Sequence, residues 1–381
     1  MWPIDGKRGC KRPDRALLSP RSDARNSPGT AGGVGVLNVF CVIDQRWLQR
    51  DAVMSRRAIV RGVASSAGAF ALGGCASFAG TGTRYDASAL STNPTLLVTT
   101  TRKPVNGGRT KPWYGPERAS QMSVARAKLT PPDDGRFSLG SVGLGDWRLD
   151  AIEPVTRENL LAQESSTRDL LIYVHGFKQT FEAAALDAAR LSDGVRFNGE
   201  TMVFSWPSRA GLFDYSYDRE SAMWSRDGFE RVLDSVLASP SIGRIHIVAH
   251  SMGTMLTLET LRQVHARYGD AVIDRLGAVV FAAPDIDMDV FSSSIGRIGA
   301  LARKITVVTA TNDLALAVSG RLAGGMARVG TAEKAELERM GLRVIDASQQ
   351  GWGIINHDLF LSNGAVRQVI RRAIDGNPMG A

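Results

Sequence analysis

The sequence predicts an α/β fold with a mainly parallel central sheet and helices on both faces, on two observations. Along residues 93 to 381, short runs rich in β-branched and aromatic residues alternate with segments whose apolar residues recur near every 3.6 positions. The later runs (Ile247-Val-Ala249, Val279-Val-Phe-Ala-Ala283, Ile305-Thr-Val-Val308) are almost continuously apolar, as strands covered on both sides must be.

In chain order, strands are predicted at 96–100, 137–142, 170–174, 202–206, 245–249, 278–282, 305–309 and 342–345. Helical spacing falls between them, at 181–191, 221–238, 255–267, 332–340 and 358–374. The stretch from Thr101 to Asp134 holds five prolines and is expected to be a long irregular connection. In a sheet of this kind, chemistry collects at the carboxyl ends of the strands.

Charge and cysteine are confined to the amino-terminal side. Residues 1 to 84 hold 13 of the 46 Lys and Arg but 5 of the 38 Asp and Glu, so the formal net charge of +8 belongs to them and the other 297 residues are neutral. A nucleic-acid-binding face would need a local basic cluster, and the neutral part has none. Cys10, Cys41 and Cys75 all precede residue 76, which excludes a disulfide, a thiolate metal site or a thiol nucleophile downstream. No run of 18 apolar residues is present to span a bilayer as a helix.

Residues 1–53 mix Arg, Pro, Gly and Ser without periodicity over most of their length and read as a disordered extension preceding the natural start at Met54. From Met54 the pattern is that of an export signal: a basic opening at Ser55 to Arg61, then a short apolar stretch from Val63 to Gly74. The opening resembles a twin-arginine signal, and Leu72-Gly73-Gly74-Cys75 resembles the lipobox of bacterial lipoproteins, which implies lipidation of Cys75 after removal of residues 54–74. Residues 75–92 are the tether, and 93–381 the folded domain. A bacterial cell-envelope location with a lipid anchor is therefore expected; Ala76 in place of aspartate favours the outer membrane.

The strand ending Arg244-Ile-His-Ile-Val248 runs into Ala249-His250-Ser251-Met252-Gly253 and then a helix. A serine at such a junction, with small residues two positions away on each side, is a nucleophile elbow, and Ala249 takes the place of the usual first glycine. Serine needs a base, and His357, in the loop before the last helix, is the histidine placed to serve in the order Ser, acid, His. The acid is Asp313, after the strand 305–309, or alternatively Asp285, after the preceding strand.

The strand Leu170 to Val174 leads to His175-Gly176-Phe177-Lys178, where Gly176 lets the backbone turn. The N–H of Phe177 (or of Lys178) and that of Met252 are the expected oxyanion donors, and His175 is expected to be structural. Asp285, Asp287 and Asp289 alternate as in a calcium loop. However, Val290 and Gly296 stand where such a loop needs glycine and glutamate, so the aspartates read as solvated caps of a helix. The aromatic-rich stretch from Trp206 to Trp224 lines an acyl pocket or packs the core, and Arg209, Arg219 and Arg226 are expected to pair at the surface with Asp214, Asp218 and Asp227.

His175-Gly-Phe, Phe204-Ser-Trp-Pro-Ser208, Tyr217-Asp-Arg-Glu-Ser221, Ala249-His-Ser-Met-Gly253, Ala283-Pro-Asp-Ile-Asp287 and His357-Asp358 together resemble the bacterial α/β-hydrolase family called domain of unknown function 900. The resemblance covers roughly residues 94 to 375 and implies the α/β-hydrolase fold and a Ser-Asp-His hydrolase of esterase or lipase type. No metal or organic cofactor is expected, and the expected partners are a small-molecule or lipid ester and, through the anchor, a membrane. The same residues would also serve an acyltransferase, thioesterase or amidase, and a non-catalytic envelope binding module is the competing class. Mass analysis of the native protein is expected to find an acylated Cys75 at the mature amino terminus; peptides from residues 1–50 would contradict the assigned start.

Overall fold

The structure, a computed structural model, describes residues 95–132, 147–161, 167–211, 213–322, 324–350 and 359–376. Nine strands form one sheet: β1 (Thr95–Pro104), β2 (Tyr114–Thr130), β3 (Arg148–Pro154), β4 (Arg168–Val174), β5 (Glu200–Ser205), β6 (Ile242–His250), β7 (Leu276–Ala282), β8 (Ile305–Thr309) and β9 (Arg343–Asp346). Their spatial order is β3-β2-β1-β5-β4-β6-β7-β8-β9. From β1 to β9 every neighbouring pair is parallel, and only the pairs β1/β2 and β2/β3 are antiparallel.

The helices are α1 (Arg157–Leu161), α2 (Phe181–Gly194), α3 (Tyr215–Trp224), α4 (Arg226–Ala238), α5 (Met252–Tyr268), α6 (Ala271–Arg275), α7 (Met288–Ile295), α8 (Leu314–Leu322), α9 (Lys334–Glu338), α10 (Leu359–Ser362) and α11 (Gly364–Ile374). Alternation along β4 divides the core between the two sheet faces. Leu170, Ile172 and Val174 join a cluster with apolar residues of α3, α4, α5 and α7. Leu171 and Tyr173 join the opposite cluster, built with α2 and α11.

The chain departs from the sequence expectation in several places, among them β3, α1 and α6, which form where no element was expected. Within the stretch expected to be an irregular connection, residues 101–104 complete β1 and residues 114–130 form the 17-residue β2. Pro104 ends β1 and Pro116 falls where the β1/β2 register shifts, positions at which a missing N–H breaks no regular ladder. Past them, Ala125, Ala127 and Leu129 are buried while Lys128 is exposed, a period-two pattern that the prolines masked.

The helix expected over 221–238 is two, α3 and α4, meeting at Ser225. Its hydroxyl bonds both the carbonyl of Ser221 (2.8 Å) and Thr101 Oγ1 of β1 (2.8 Å), and such bonding bends helices. The terminal helix is also two, because the side chain of Asn363 accepts the N–H groups of Ala365 and Val366 and so caps α11. Finally, α7 and α8 form where no helix was expected; Asp287 caps α7 through the N–H groups of Asp289 and Val290. The strand expected at 137–142 lies outside the described residues.

Candidate active site

At the carboxyl edge of the sheet, β6 ends at His250 and α5 begins at Met252, leaving Ser251 alone between them with φ 49° and ψ −121°. That region is hostile to a residue with a Cβ, and persists only where neighbours over-determine it. Here they do. The Ser251 N–H donates to the Ala282 carbonyl at the end of β7 (2.9 Å), and its own carbonyl accepts the N–H of Thr254 (3.1 Å), the hydroxyl of Thr254 (2.6 Å) and the N–H of Asp285 (3.2 Å).

Small residues let this turn close. A Cβ on Gly253 would sit 2.3 Å from the carbonyl oxygen of His175, so the first turn of α5 rides directly on the end of β4. A Cβ on Gly176 would lie 2.9 Å from both Ser251 Cβ and His250 Nδ1. Ala249, fully buried, pairs with Val174 on one side and Phe281 on the other. Hence the loop after β4 passes within contact distance of the serine, and Phe177 follows it directly.

The N–H of Met252 opens α5 and has no carbonyl to bond within the helix, while the N–H of Phe177 has no acceptor among the described residues. The N–H of Lys178 donates to Asp218 Oδ2 (3.3 Å).

His175 is structural. Nε2 lies 3.1 Å from both the backbone N–H and the carbonyl of Trp206, and Nδ1 lies 2.9 Å from the Gly176 carbonyl, so both ring nitrogens are held by backbone groups. The Trp206 indole stacks on the ring at 4.7 Å and donates to the His175 carbonyl (2.8 Å). Burial, with the charge of Arg102 adding to it, pushes the imidazole pKa well below its usual range, so the ring is neutral.

The two candidate acids differ in surroundings. Asp285 is buried; its Oδ1 accepts the hydroxyl of Ser319 (2.8 Å) and faces Arg328 Nε (3.2 Å), and its Oδ2 accepts the hydroxyl of Tyr215 (3.0 Å). It is therefore not the solvated helix cap expected from its spacing. Asp313, also buried, follows β8 and caps α8, with Oδ1 accepting the N–H of Leu316 (3.1 Å). His357 and Cys75 lie outside the described residues.

Around the site, Arg209 and Arg226 pair with Asp214 and Asp227 as expected, but Asp218 is fully buried and accepts from Ser208, Arg209 and Lys178. The aromatic stretch divides: Trp206 and Tyr215 are core, whereas Phe213 is 99% exposed. Sequence reasoning missed Arg102, Ser319 and Arg328, which stand in no recognisable motif. Asp218 and Ser208 stood in segments quoted for the family resemblance, and that was the available signal. A Gly176→Ala variant is expected to lose about 1–3 kcal/mol of stability to overpacking, read by urea denaturation; wild-type stability would contradict the contact.

Comparison with known proteins places these features. A profile described as alpha/beta hydrolase of unknown function (DUF900) matches residues 153–373. An uncharacterized protein of Nostoc sp. is 21% identical over 131 residues, which are 28% of this chain and 34% of that protein, so the chain spans about a third of the relative's length. Among solved structures, a hyperthermophilic esterase from the archaeon Pyrobaculum calidifontis aligns at TM-score 0.35 with 11% identity, over 88% of this chain and 95% of that one. A cutinase-like protein from Cryptococcus sp. aligns at TM-score 0.33 with 16% identity, over 58% of this chain and 100% of that one. With its profile matched over more than half of the chain and the parallel sheet, elbow and His-Gly turn in place, the protein belongs to the DUF900 family of α/β-hydrolases.

Proposed function

We propose that the protein is a serine hydrolase of carboxylic esters, exported and held at a membrane by a lipid on Cys75. The observation that carries this reading is the conformation of Ser251. A strained serine, over-determined by its neighbours, stands at the amino end of α5 beside the N–H groups of Met252 and Phe177.

In this reading Ser251 Oγ attacks the ester carbonyl as His357 takes its proton, and the two N–H groups hold the oxyanion. His357 then protonates the leaving alcohol, and a water activated by the same histidine releases the acid from the acyl-enzyme. Support for His357 comes from the chain order Ser, acid, His, since it is the only histidine of the sequence after Asp285 and Asp313. Support for Asp313 as the acid comes from the state of Asp285, whose charge is balanced by Arg328 and whose two oxygens are occupied by Ser319 and Tyr215.

Ser251→Ala and His357→Ala are expected to cut turnover of short-chain nitrophenyl esters by a factor on the order of a thousand or more. Asp313→Asn is expected to fall by a similar factor with its unfolding transition preserved. Asp285→Asn leaves Arg328 uncompensated and is expected to lose about 3–5 kcal/mol of stability. A wild-type rate in the Ser251 variant would refute the mechanism, and a reversed pattern between the two aspartates would reassign the acid.

A further inference from the structure

Three residues after His175, the chain adopts a conformation that its sequence does not favour: Lys178 has φ 63°, in the left-handed region. The turn that carries Phe177 is therefore held from outside, and its partners are in view. Asp218, fully buried on α3, accepts the Lys178 N–H at Oδ2 (3.3 Å) together with the Ser208 hydroxyl (2.5 Å), and at Oδ1 the Arg209 N–H (2.9 Å). The Ser208 hydroxyl oxygen in turn accepts the N–H of Gln179 (3.1 Å). Arg102, a buried cation from β1, donates to the carbonyls of Gln179 (2.7 Å) and Ser208 (3.0 Å) and to the hydroxyl of Ser205 (2.9 Å).

One face of α3 reaches both sides of this turn. Tyr215 and Asp218 are three residues apart and so share a helix face. Tyr215 sets its ring edge-on to Phe177 at 5.5 Å and 71°, while Asp218 binds the backbone of the next residue. Side chain 177 and backbone 178 are thus fixed by the same helix.

We propose that Asp218 is a positioning residue of the reaction: from α3 it holds the left-handed turn at Lys178 and so aims the N–H of Phe177 at the oxyanion. The inference rests on the serine-hydrolase reading for its effect on catalysis; the hold on the turn is a matter of geometry alone. Asparagine at 218 keeps the shape but turns one accepting oxygen into a donor, facing N–H and O–H groups that already donate.

The test compares full-length wild type with Asp218→Asn and the milder Ser208→Ala, by steady-state ester hydrolysis and by amide hydrogen exchange. The expected result for Asp218→Asn is a fall in kcat of about 10- to 100-fold with KM unchanged, and faster exchange at residues 177–180 with β6 still protected. Ser208→Ala is expected to show the same split, several-fold in size. Wild-type exchange at 177–180 in both variants overturns the proposal, as does an altered KM with kcat intact. A wild-type protein without Ser251-dependent turnover sinks the hydrolase reading instead, and the exchange measurement still decides whether Asp218 holds the turn.

Discussion

Ser251 occupies a backbone region that residues with a Cβ avoid, at a cost on the order of 1–3 kcal/mol, and the rest of the site is arranged around keeping it there. The constraint is met by contacts of three kinds. The end of β7 fixes the serine's N–H, Thr254 and Asp285 saturate its carbonyl, and two glycines let β4 and its loop close over the turn without a clash. They come from the end of β7 and the segment after it, from α5 and from the loop after β4, so the strain is shared along the carboxyl edge of the sheet and cannot relax at one point.

Two buried cations brace that edge from either side. Arg102 binds carbonyls of the turn after β4 and of the segment after β5, and burial lowers its pKa to about 10, so it remains charged at neutral pH. Arg328 faces Asp285 near the end of β7. Buried ionic groups contribute little net stability when complete but much specificity of shape, because losing one partner leaves a charge with nowhere to go. Tyr215 links the two sides: its hydroxyl donates to Asp285, and burial pushes that phenol up to about 12, so it stays a donor throughout the physiological range.

The sheet, its parallel sense and the elbow were legible because each rests on a local pattern: apolar runs, helical spacing, and small residues flanking one serine. The antiparallel edge was not. Prolines 104, 112 and 116 cluster at the start of the segment and suggest a loop, while the alternation Ala125, Ala127, Leu129 that makes β2 a strand lies past them. The surroundings of Asp285 were equally hidden, since its partner Arg328 lies 43 positions beyond it in the chain and no spacing rule links the two. Asp218 looked like a surface partner for a nearby arginine because its neighbours on α3 are polar. Only the packing of that helix against the turn after β4 shows that it faces inward.

The charge of the chain lies in its first 84 residues and says little about what binds the folded domain, whose proposed chemistry turns on one residue. The most direct test is to treat the folded protein with a fluorophosphonate probe and map the adduct by peptide mass analysis. A single adduct on Ser251, absent after denaturation and slowed by an ester substrate, is the result expected of an activated nucleophile in an assembled site. Folded protein that takes up no label at Ser251, or equal label on other serines, would contradict the account.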